Sequence, residues 1–350
     1  MSEPAQAPLL SVCIPAYNRG RWLADRIREW LAEAPGNIEV VVSDNASSDD
    51  TADAVAAIGD PRLVLVRNDI NVGAFENQLR AFEAAHGRYV MQQTDKDELV
   101  PGGIAAALAA LARTDAVCGE FVINSTGASA KPVRVSRGFD AFRRHGLAFT
   151  HPSGHFFSAA MLRDFGLLAR LRALDPVIRP YSTDYLVSLS LGYGGYAAID
   201  LPFVRMNLPP YDGVAASVSY RDPEKYYFTP SFLVSEFAAY AKFLEREMRL
   251  AAPVRLRLAA RLAGGPLFNQ MTVWYRWRLE SDAMCAWYGV RPEFRESELR
   301  RDLVRDGADA LRGMAGVGRL TRLAVRLGVA RRLRRKDAYE IPDNIRGGAR

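Results

Sequence analysis

The sequence has few of the residues that build zinc sites or disulfide frameworks. Its 350 residues include only three cysteines, Cys13, Cys118 and Cys285, and four histidines. No CxxC or CxxH pair occurs, so the spacing favours neither a structural zinc site nor a set of disulfides. Widely separated cysteines are typical of the reducing cytoplasm, and we therefore expect a cytoplasmic protein.

Long apolar stretches are also missing. No run of about 18 uncharged apolar residues occurs, so we expect no membrane-spanning helix. The alanine-rich run from Ile104 to Leu111 is too short and is closed by Arg113. The first ten residues, MSEPAQAPLL, have neither a basic start nor a long apolar core, so we expect no secretory signal.

Glycine-rich phosphate loops are a third absence. Neither GxGxxG nor GxxxxGK[ST] follows the first apolar run of the chain. This argues against a dinucleotide-dependent enzyme and against a P-loop NTPase, so any nucleotide diphosphate has to be held by other means.

The charge that is present is unevenly distributed. The net charge is +6, and much of the excess lies in GRLTRLAVRLGVARRLRRK, residues 318–336. A basic stretch with interspersed leucine and valine fits a helix on an anionic membrane surface, and equally an arginine-bordered helix packed on the protein itself. We do not expect a nucleic-acid partner, because the acidic loops described below would repel phosphates.

Apolar runs of strand length alternate with segments of helical periodicity through the first 123 residues. The predicted strands are 9–14, 38–43, 62–67, 88–93 and 116–123, and the predicted helices are 19–34, 49–59, 74–87 and 101–114. This alternation predicts an α/β protein with a mostly parallel, Rossmann-like sheet covered on both faces.

Secondary-structure patterns are weaker in the rest of the chain. Residues 124–215 are rich in glycine, proline and aromatics, with a predicted helix at 182–195 and a predicted strand at 196–207. From about residue 222 onward the pattern is helical. We therefore divide the chain into an α/β domain, 1–215, with halves 9–123 and 124–215, and a helical C-terminal extension, 216–350, that ends in the basic amphipathic tail.

Polar residues follow four consecutive predicted strands. Ligands of open parallel sheets bind at the carboxyl ends of the strands, so these loops define one candidate site. The polar residues are Tyr17 and Asn18 after the first strand, Asp44, Asn45, Ser47 and Asp49 after the second, Asn68 and Asn71 after the third, and Asp95 and Asp97 after the fourth.

Asp95 and Asp97, in the segment TDKDE, are the most informative pair. Residues two apart in an extended segment point to the same side, so their carboxylates repel unless a positive charge lies between them. Mg²⁺ and Mn²⁺ bind through one or two carboxylates together with substrate phosphate oxygens, which predicts such a metal here. The alternative interpretation is a pair of solvated loop acids whose repulsion Lys96 relieves.

These segments resemble the family 2 inverting glycosyltransferases of the GT-A fold. The resemblance runs from Leu9 to about Gly103, and more loosely to about Asp200. It rests on SVCIPAYNRGRWL, on IEVVVSDNASSDDTADAV, on NDINVGAFENQLRAFEAAHGRYVMQQTDKDELVPGGI and, more weakly, on STDYLVSLSLGYGGY. The variant VSDNASSDDT with a short DxD loop is similar to enzymes that build bacterial O-antigen and other surface polysaccharides.

The resemblance implies roles by position. Pro15, Ala16 and Tyr17 would border the nucleotide base, and Asp44 would hydrogen-bond its ring edge. Asp95 would lie by the ribose and diphosphate, with Asn18 and Asn71 on neighbouring loops. Asp97 would hold the metal together with Asp95.

The general base of the family is an acid at the start of a later helix, in an ED-like motif. The best match is Asp184 in STDYL. A distant segment is needed because the base has to lie across the sugar from the leaving diphosphate. An acid in the first helical turn is also favoured by the helix dipole without any catalytic role.

The chain departs from the family pattern at three points. Thr183 stands where the ED pair has its first acid, and Lys96 stands where family members often carry another acid or a small residue. The third departure is in the helix after the third strand, where GAFENQ has no arginine. The QxxRW motif of processive synthases is missing as well, so we expect transfer of a single sugar.

One further polar segment, THPSGHFFS at 150–158, precedes a predicted helix. Its residues His151, Ser153 and His155 are candidate contacts to sugar or phosphate. The alternative is a polar loop with one core-facing histidine.

Together these observations predict a metal-assisted inverting glycosyltransferase that uses a UDP-sugar and Mg²⁺ or Mn²⁺. The acceptor would be a hydroxyl of a surface glycan or of a lipid-linked acceptor, reached at the inner face of the membrane. The alternative is a non-catalytic nucleotide-sugar or glycan-binding protein of the same fold. The sequence does not predict the oligomeric state.

Overall fold

The computed structural model describes residues 7–100, 102–146, 148, 151–207, 236, 239–240, 242–248 and 254. These residues belong to two compact units. The first comprises the described residues up to 146, those in 151–173 and those in 181–207. The predicted boundary at residue 215, almost all of the predicted C-terminal extension, the basic tail and Cys285 lie outside the described residues.

The first unit contains ten strands and eight helices among its described residues. The strands are Leu10–Ala16 (β1), Ile38–Asp44 (β2), Leu63–Arg67 (β3), Tyr89–Gln92 (β4), Glu98–Leu99 (β5), Cys118–Phe121 (β6), Val133–Ser136 (β7), His155–Ser158 (β8), Tyr196–Ile199 (β9) and Val204–Arg205 (β10). The helices are Gly20–Glu33 (α1), Thr51–Ala56 (α2), Ala74–Glu83 (α3), Ile104–Ala112 (α4), Gly138–His145 (α5), Ala159–Asp164 (α6), Leu167–Arg172 (α7) and Ser182–Ser190 (α8).

Eight of these strands form one sheet in the order β3-β2-β1-β4-β8-β6-β9-β7. Neighbouring strands among β1 to β4 are parallel, as β6 and β9 are, whereas β8 is antiparallel to both β4 and β6. Strand β7 is antiparallel to β9 at the edge of the sheet. The predicted α/β architecture with a mostly parallel sheet is therefore confirmed.

Two elements in the middle of the chain differ from what the sequence pattern indicates. Residues 155–158, part of the polar segment 150–158 for which no strand was predicted, form the central strand β8. Only four residues long, this strand gives no periodic pattern, and the antiparallel partners that define it are distant in sequence. The predicted strand 196–207 is two strands, because β10 leaves the main sheet and pairs with β5.

The core lies between the sheet and helices that cover it. Helix α1 buries five apolar residues at helical spacing, Leu23, Ala24, Ile27, Trp30 and Leu31. They pack with inward-facing residues of the first two strands, such as Val12, Ile14 and Val40. Each fully buried side chain of this size contributes roughly 1.5–3 kcal/mol. This packing fixes the strand ends that carry the polar loops.

A buried carboxylate joins three elements at the opposite, amino edge of the sheet. Glu39 accepts a hydrogen bond from Ser11 Oγ at 2.5 Å and another from His86 N at 2.9 Å. Ser11 Oγ also accepts from Gly87 N at 2.8 Å. The turn between α3 and β4 is thereby tied to β1 and β2.

The described part of the second unit is small. It includes the 3₁₀ helix Pro176–Tyr181, apart from Tyr181 itself, and the helical residues 239–240 and 242–246. Among these helical residues, Tyr240, Phe243 and Leu244 are buried. No helix in the described part of the chain is long and apolar enough to cross a membrane.

Candidate functional site

The loops after β1 and β2 are hydrogen-bonded to each other through Asn18. Asn18 N donates to Ser47 Oγ at 2.9 Å, and Ser48 N donates to Asn18 Oδ1 at 2.9 Å. Asn18 has φ of 52°, in the left-handed region that asparagine tolerates better than most residues. Two predicted site loops are therefore held together at the carboxyl edge of the sheet.

Helix α1 begins against the same second loop. Thr51 Oγ1 accepts from Arg19 N at 2.8 Å and from Gly20 N at 2.7 Å. Backbone N–H groups at a helix start lack partners within the helix, and this hydroxyl supplies one. The backbone of residues 17–20 is consequently fixed relative to α2.

Asp44, the predicted contact to the nucleotide base, is fully buried at the end of β2. Both carboxylate oxygens lie 3.3 Å from Ser47 N, and Ser47 Oγ donates to Oδ1. Arg67 Nε of β3 is 3.3 Å from Oδ2. The carboxylate is thus held in one orientation, with the guanidinium of Arg67 beside it.

A network of side-chain amides continues this edge across β2 and β3. Asn68 Nδ2 and Ser43 Oγ donate to Asn77 Oδ1 at 2.8 and 2.7 Å. Asn45 Nδ2 donates to Asn71 Oδ1 at 2.8 Å. The predicted site residue Asn71 therefore helps to hold the loop after β3, and Asn77 is buried near the start of α3.

Asp95 lies beside the loop after β1. Its Oδ2 is 2.9 Å from Arg19 Nε and 3.4 Å from Tyr17 N. Burial raises the pKa of this carboxyl above its usual value, and the charges of Arg19 and Lys96 offset that increase only in part. The predicted residues Tyr17 and Asp95 are thus in direct contact.

Asp97 is surrounded by hydrogen-bond donors. Its Oδ2 accepts from Thr94 Oγ1 at 2.7 Å and from Ser153 Oγ at 2.5 Å, and lies 2.5 Å from His151 Nε2. Its Oδ1 accepts from Asn207 N at 3.0 Å. Two predicted substrate residues, His151 and Ser153, are therefore bound to a predicted metal ligand.

The protonation of Asp97 follows from this environment. Burial alone raises the pKa of the carboxyl, but the nearby His151, Lys96 and Ser153 together outweigh burial, so the pKa falls below its usual value. Asp97 is consequently ionised at neutral pH. The contacts of this ionised carboxylate with His151 and Ser153 hold the loop 94–97 against the segment preceding β8.

Asp184 is buried in the first turn of α8, as predicted. The hydroxyl of the adjacent Thr183 donates to Gln92 Oε1 at 2.7 Å. Gln92 is the last residue of β4, directly before the TDKDE loop. This hydrogen bond fixes the start of α8 at the carboxyl end of β4.

His155 has different neighbours from His151 and Ser153, the other two candidate residues of segment 150–158. It is buried in β8, its Nδ1 lies 3.3 Å from Pro152 O, and its Nε2 lies 3.9 Å from Glu120 Oε2. Burial lowers the pKa of His155, which favours the neutral imidazole. The structure brings His151 and Ser153 to Asp97 and His155 to Glu120 of β6.

The fit of a divalent metal can be tested on these contacts. No group of three or more His, Cys, Asp or Glu side chains that could hold a metal ion occurs within the described residues. Asp97 already has four donors, and Asp95 already has an arginine. The carboxylates as arranged fit a metal poorly, although a substrate-completed site needs only one or two of them. Mg²⁺ or Mn²⁺ stays a prediction.

Sequence reasoning missed several residues that position this site. They are Arg19, Arg67, Thr94, Gln92 and Glu120. Arg19, Gln92 and Thr94 lie in segments that carry the family resemblance, but no role was assigned to them. The contact of Arg19 with Asp95 spans 76 positions of the chain. An arginine next to the polar loop PAYN was the one available signal.

Comparison with known proteins agrees with this geometry. Residues 11–166 match the model of the family described as "Glycosyl transferase family 2". Among curated proteins, a putative colanic acid biosynthesis glycosyl transferase, WcaA, of Escherichia coli K12 is 32% identical over 104 residues, 29% of this chain and 37% of its own length. The E. coli UDP-Glc:alpha-D-GlcNAc-diphosphoundecaprenol beta-1,3-glucosyltransferase WfaP is 33% identical over 82 residues, 23% of this chain and 33% of its own.

The matched part spans about a third of the length of these relatives. Among solved structures, residues 1–349 of S. aureus TarS superpose with a TM-score of 0.54 at 14% identity, over 95% of this chain and 93% of that one. TarS 1–349 has also been solved in complex with UDP and with UDP-GlcNAc. Residues 11–166 are thus similar to glycosyl transferase family 2, and the fold is that of TarS 1–349, in agreement with the predicted GT-A fold.

Proposed function

We propose that this protein is an inverting glycosyltransferase that moves one sugar from a UDP-sugar to a hydroxyl of a surface glycan or lipid-linked acceptor. The observation that carries the proposal is the hydrogen bond from Thr183 Oγ1 to Gln92 Oε1. It joins the helix start that bears Asp184 to the strand end that bears the predicted donor site. The names of the curated relatives support the acceptor class.

Asp184 is the proposed general base. Its carboxylate takes the proton of the acceptor hydroxyl while the hydroxyl oxygen attacks the anomeric carbon. The bond from that carbon to the diphosphate oxygen breaks, and its electron pair leaves with the nucleoside diphosphate. Because attack and departure occur on opposite faces of the sugar, the anomeric configuration inverts.

The donor nucleotide is proposed to bind along the carboxyl ends of β1 and β2. Pro15, Ala16 and Tyr17 would border the base, and the oriented carboxylate of Asp44 would accept from its ring edge. Three further residues of the same edge, Asn18, Asn71 and Asp95, would complete the nucleotide site. Each of the three is hydrogen-bonded to a neighbouring loop residue, Ser47, Asn45 and Tyr17 respectively, so the site needs little reorganisation when the donor binds.

The segment before β8 is proposed to contact the sugar or phosphate. His151 and Ser153 are held next to the TDKDE loop by Asp97, and the side chain of His151 is 23% exposed. His155 is buried against Glu120. Of the three predicted substrate residues, His151 therefore has the strongest structural support.

A resident Mg²⁺ or Mn²⁺ would supply Lewis-acid stabilisation of the leaving diphosphate. The contacts of Asp95 with Arg19 and of Asp97 with its four donors fit such an ion poorly. The steps above do not depend on it.

The Asp184→Asn variant tests the proposal. We expect UDP release from UDP-glucose or UDP-GlcNAc, with water as acceptor, to fall by about a hundredfold or more, the usual range for a lost general base. UDP binding, measured by calorimetry, should be unchanged. Asp164→Asn, at the exposed end of α6, is the matched control and should keep the full rate.

An Asp184→Asn rate within about threefold of the parent would remove Asp184 from the base role. The second candidate function, a non-catalytic nucleotide-sugar binder, is favoured by Thr183 in place of an acid. It predicts UDP binding without any UDP release from either donor in the parent protein.

A further inference from the structure

The diphosphate end of the proposed donor site contains a buried arginine. Arg19 has a side chain that is 9% exposed, and its Nε lies 2.9 Å from Asp95 Oδ2. The Nε makes this ion pair without a hydrogen bond, and Nη1 donates to Asn18 O at 3.2 Å. The guanidinium is therefore not held in a two-pronged pair with the carboxylate. A guanidinium can also pair with the oxygens of a phosphate group.

A second cation, Lys96, stands between the two predicted metal ligands in the chain. Lys96 is half-buried, and its place in the chain puts its backbone directly between the two carboxylate-bearing residues. The ammonium of lysine is a compact charge with three rotatable donors, which suits a phosphate oxygen. The loop therefore carries a positive charge of its own next to the predicted metal ligands, and this charge lowers the pKa of both carboxyls.

The hydrogen-bond donors around Asp97 also argue against a bound metal ion. Three side-chain groups and one backbone N–H surround its carboxylate. A metal ion would have to displace some of these contacts, and the cost of breaking buried charge-assisted hydrogen bonds is large. Asp97 is better suited to positioning the loop than to binding a cation.

We propose that Arg19 and Lys96 offset the negative charge of the nucleoside diphosphate, so that this chain binds its donor without a divalent metal. The inference rests on the proposed donor site and deepens it by naming the groups that hold the diphosphate. In the transfer step, the electron pair that stays on the departing diphosphate oxygen is stabilised by these two cations.

Calorimetric titration of the full-length protein with UDP, in buffer with EDTA and in buffer with Mn²⁺, tests the inference. We expect dissociation constants within about twofold of each other in the two buffers. In EDTA, Arg19→Gln and Lys96→Gln should each weaken UDP binding by about tenfold or more, which corresponds to about 1.4 kcal/mol. Uridine, which lacks the diphosphate, should bind all three proteins equally.

Arg113→Gln is the matched control, because Arg113 is exposed where α4 ends at the opposite edge of the sheet. It should bind UDP like the parent. Mn²⁺ dependence of tenfold or more in the parent, or unchanged UDP affinity in Arg19→Gln and Lys96→Gln, would overturn the inference and leave the proposed function standing. If neither UDP nor other nucleoside diphosphates bind in either buffer, the donor site itself is overturned.

Discussion

At the scale of single residues, Asp97 shows how a surrounding shell changes the role of a carboxylate. The sequence predicts a metal ligand, and the structure gives it Thr94, His151, Ser153 and the backbone of Asn207 as partners. An ionised carboxylate with this many donors stabilises the folded chain, whether or not it also binds a metal ion.

The variant Asp97→Asn should therefore be less stable than the parent. It removes the charge from a buried acceptor of four donors, and hydrogen bonds to a charged group contribute roughly 1.5–3 kcal/mol each. We expect the free energy of unfolding, measured by denaturant titration at pH 7, to fall by about 2–3 kcal/mol. The control is Asp69→Asn, at an exposed position after β3, which should change it by less than about 0.5 kcal/mol.

The stability difference between the parent and Asp97→Asn should also depend on pH. The folded-state pKa of Asp97 is below its usual value, so its contribution is fully present above the unfolded pKa of about 3.9. That contribution is lost as the pH falls through the lower folded-state pKa. The stability difference between parent and Asp97→Asn should consequently shrink as the pH falls below about 4. A difference that persists unchanged at pH 3 would contradict the charge-based explanation.

The residues of the site were predictable where they follow strands directly. Asp44, Asp95 and Asp97 could be assigned to one sheet edge because parallel strands end together. Arg19 and Glu120 could not, because a residue's partner across a sheet depends on strand order, which local periodicity does not encode. The Asp97–His151 contact was missed for the same reason: the two are 54 positions apart.

At the scale of helices and strands, the close approach of β6 and β9 depends on Gly119. A Cβ at this position would lie 2.1 Å from Ala197 O and 2.5 Å from a ring carbon of Phe156. The neighbouring atoms belong to a backbone and to the centre of the core, so they cannot move aside cheaply.

Gly119→Ala should therefore open the sheet between β6 and β9. We expect a loss of unfolding free energy of about 3 kcal/mol or more, or failure to fold, because overpacking here forces backbone displacement. Gly36→Ala is the control, since no heavy atom of the described chain lies within 4 Å of its added Cβ. Equal thermal midpoints for the two variants would show that the sheet adjusts.

Long, periodic elements were predicted well and short ones were not. The helix α1 and the strands β1 and β2 agree with the sequence pattern to within about two residues, since each has a strong apolar period. The two-residue pair of β5 with β10 has no such signal. Its pairing depends on a tertiary contact between segments about 100 residues apart.

At the scale of the whole molecule, the charge distribution gives a prediction that is independent of the described fold. The net charge is +6, and residues 318–336 are arginine-rich. We expect the full chain to bind vesicles of anionic lipid at low ionic strength, because basic residues near such a surface each contribute about 1 kcal/mol. Co-sedimentation with phosphatidylglycerol vesicles measures this.

A chain that ends at Gly313 should lose that binding, and high salt should abolish it in the full chain. Vesicles of neutral phosphatidylcholine serve as the lipid control. Equal sedimentation of the two chains with anionic vesicles would show that the tail is not the attachment point.

The position of β8 between β4 and β6 has a consequence for how the protein is made. Both neighbours leave the ribosome before it, so a nascent chain that stops short of residue 158 has a gap in the middle of its sheet. Until the segment 151–158 emerges, the acidic loop after β4 also lacks Ser153 and His151, and domains generally fold as units during synthesis. Donor-binding ability should therefore arise late in translation, even though most of the residues that would touch the nucleotide are synthesised first.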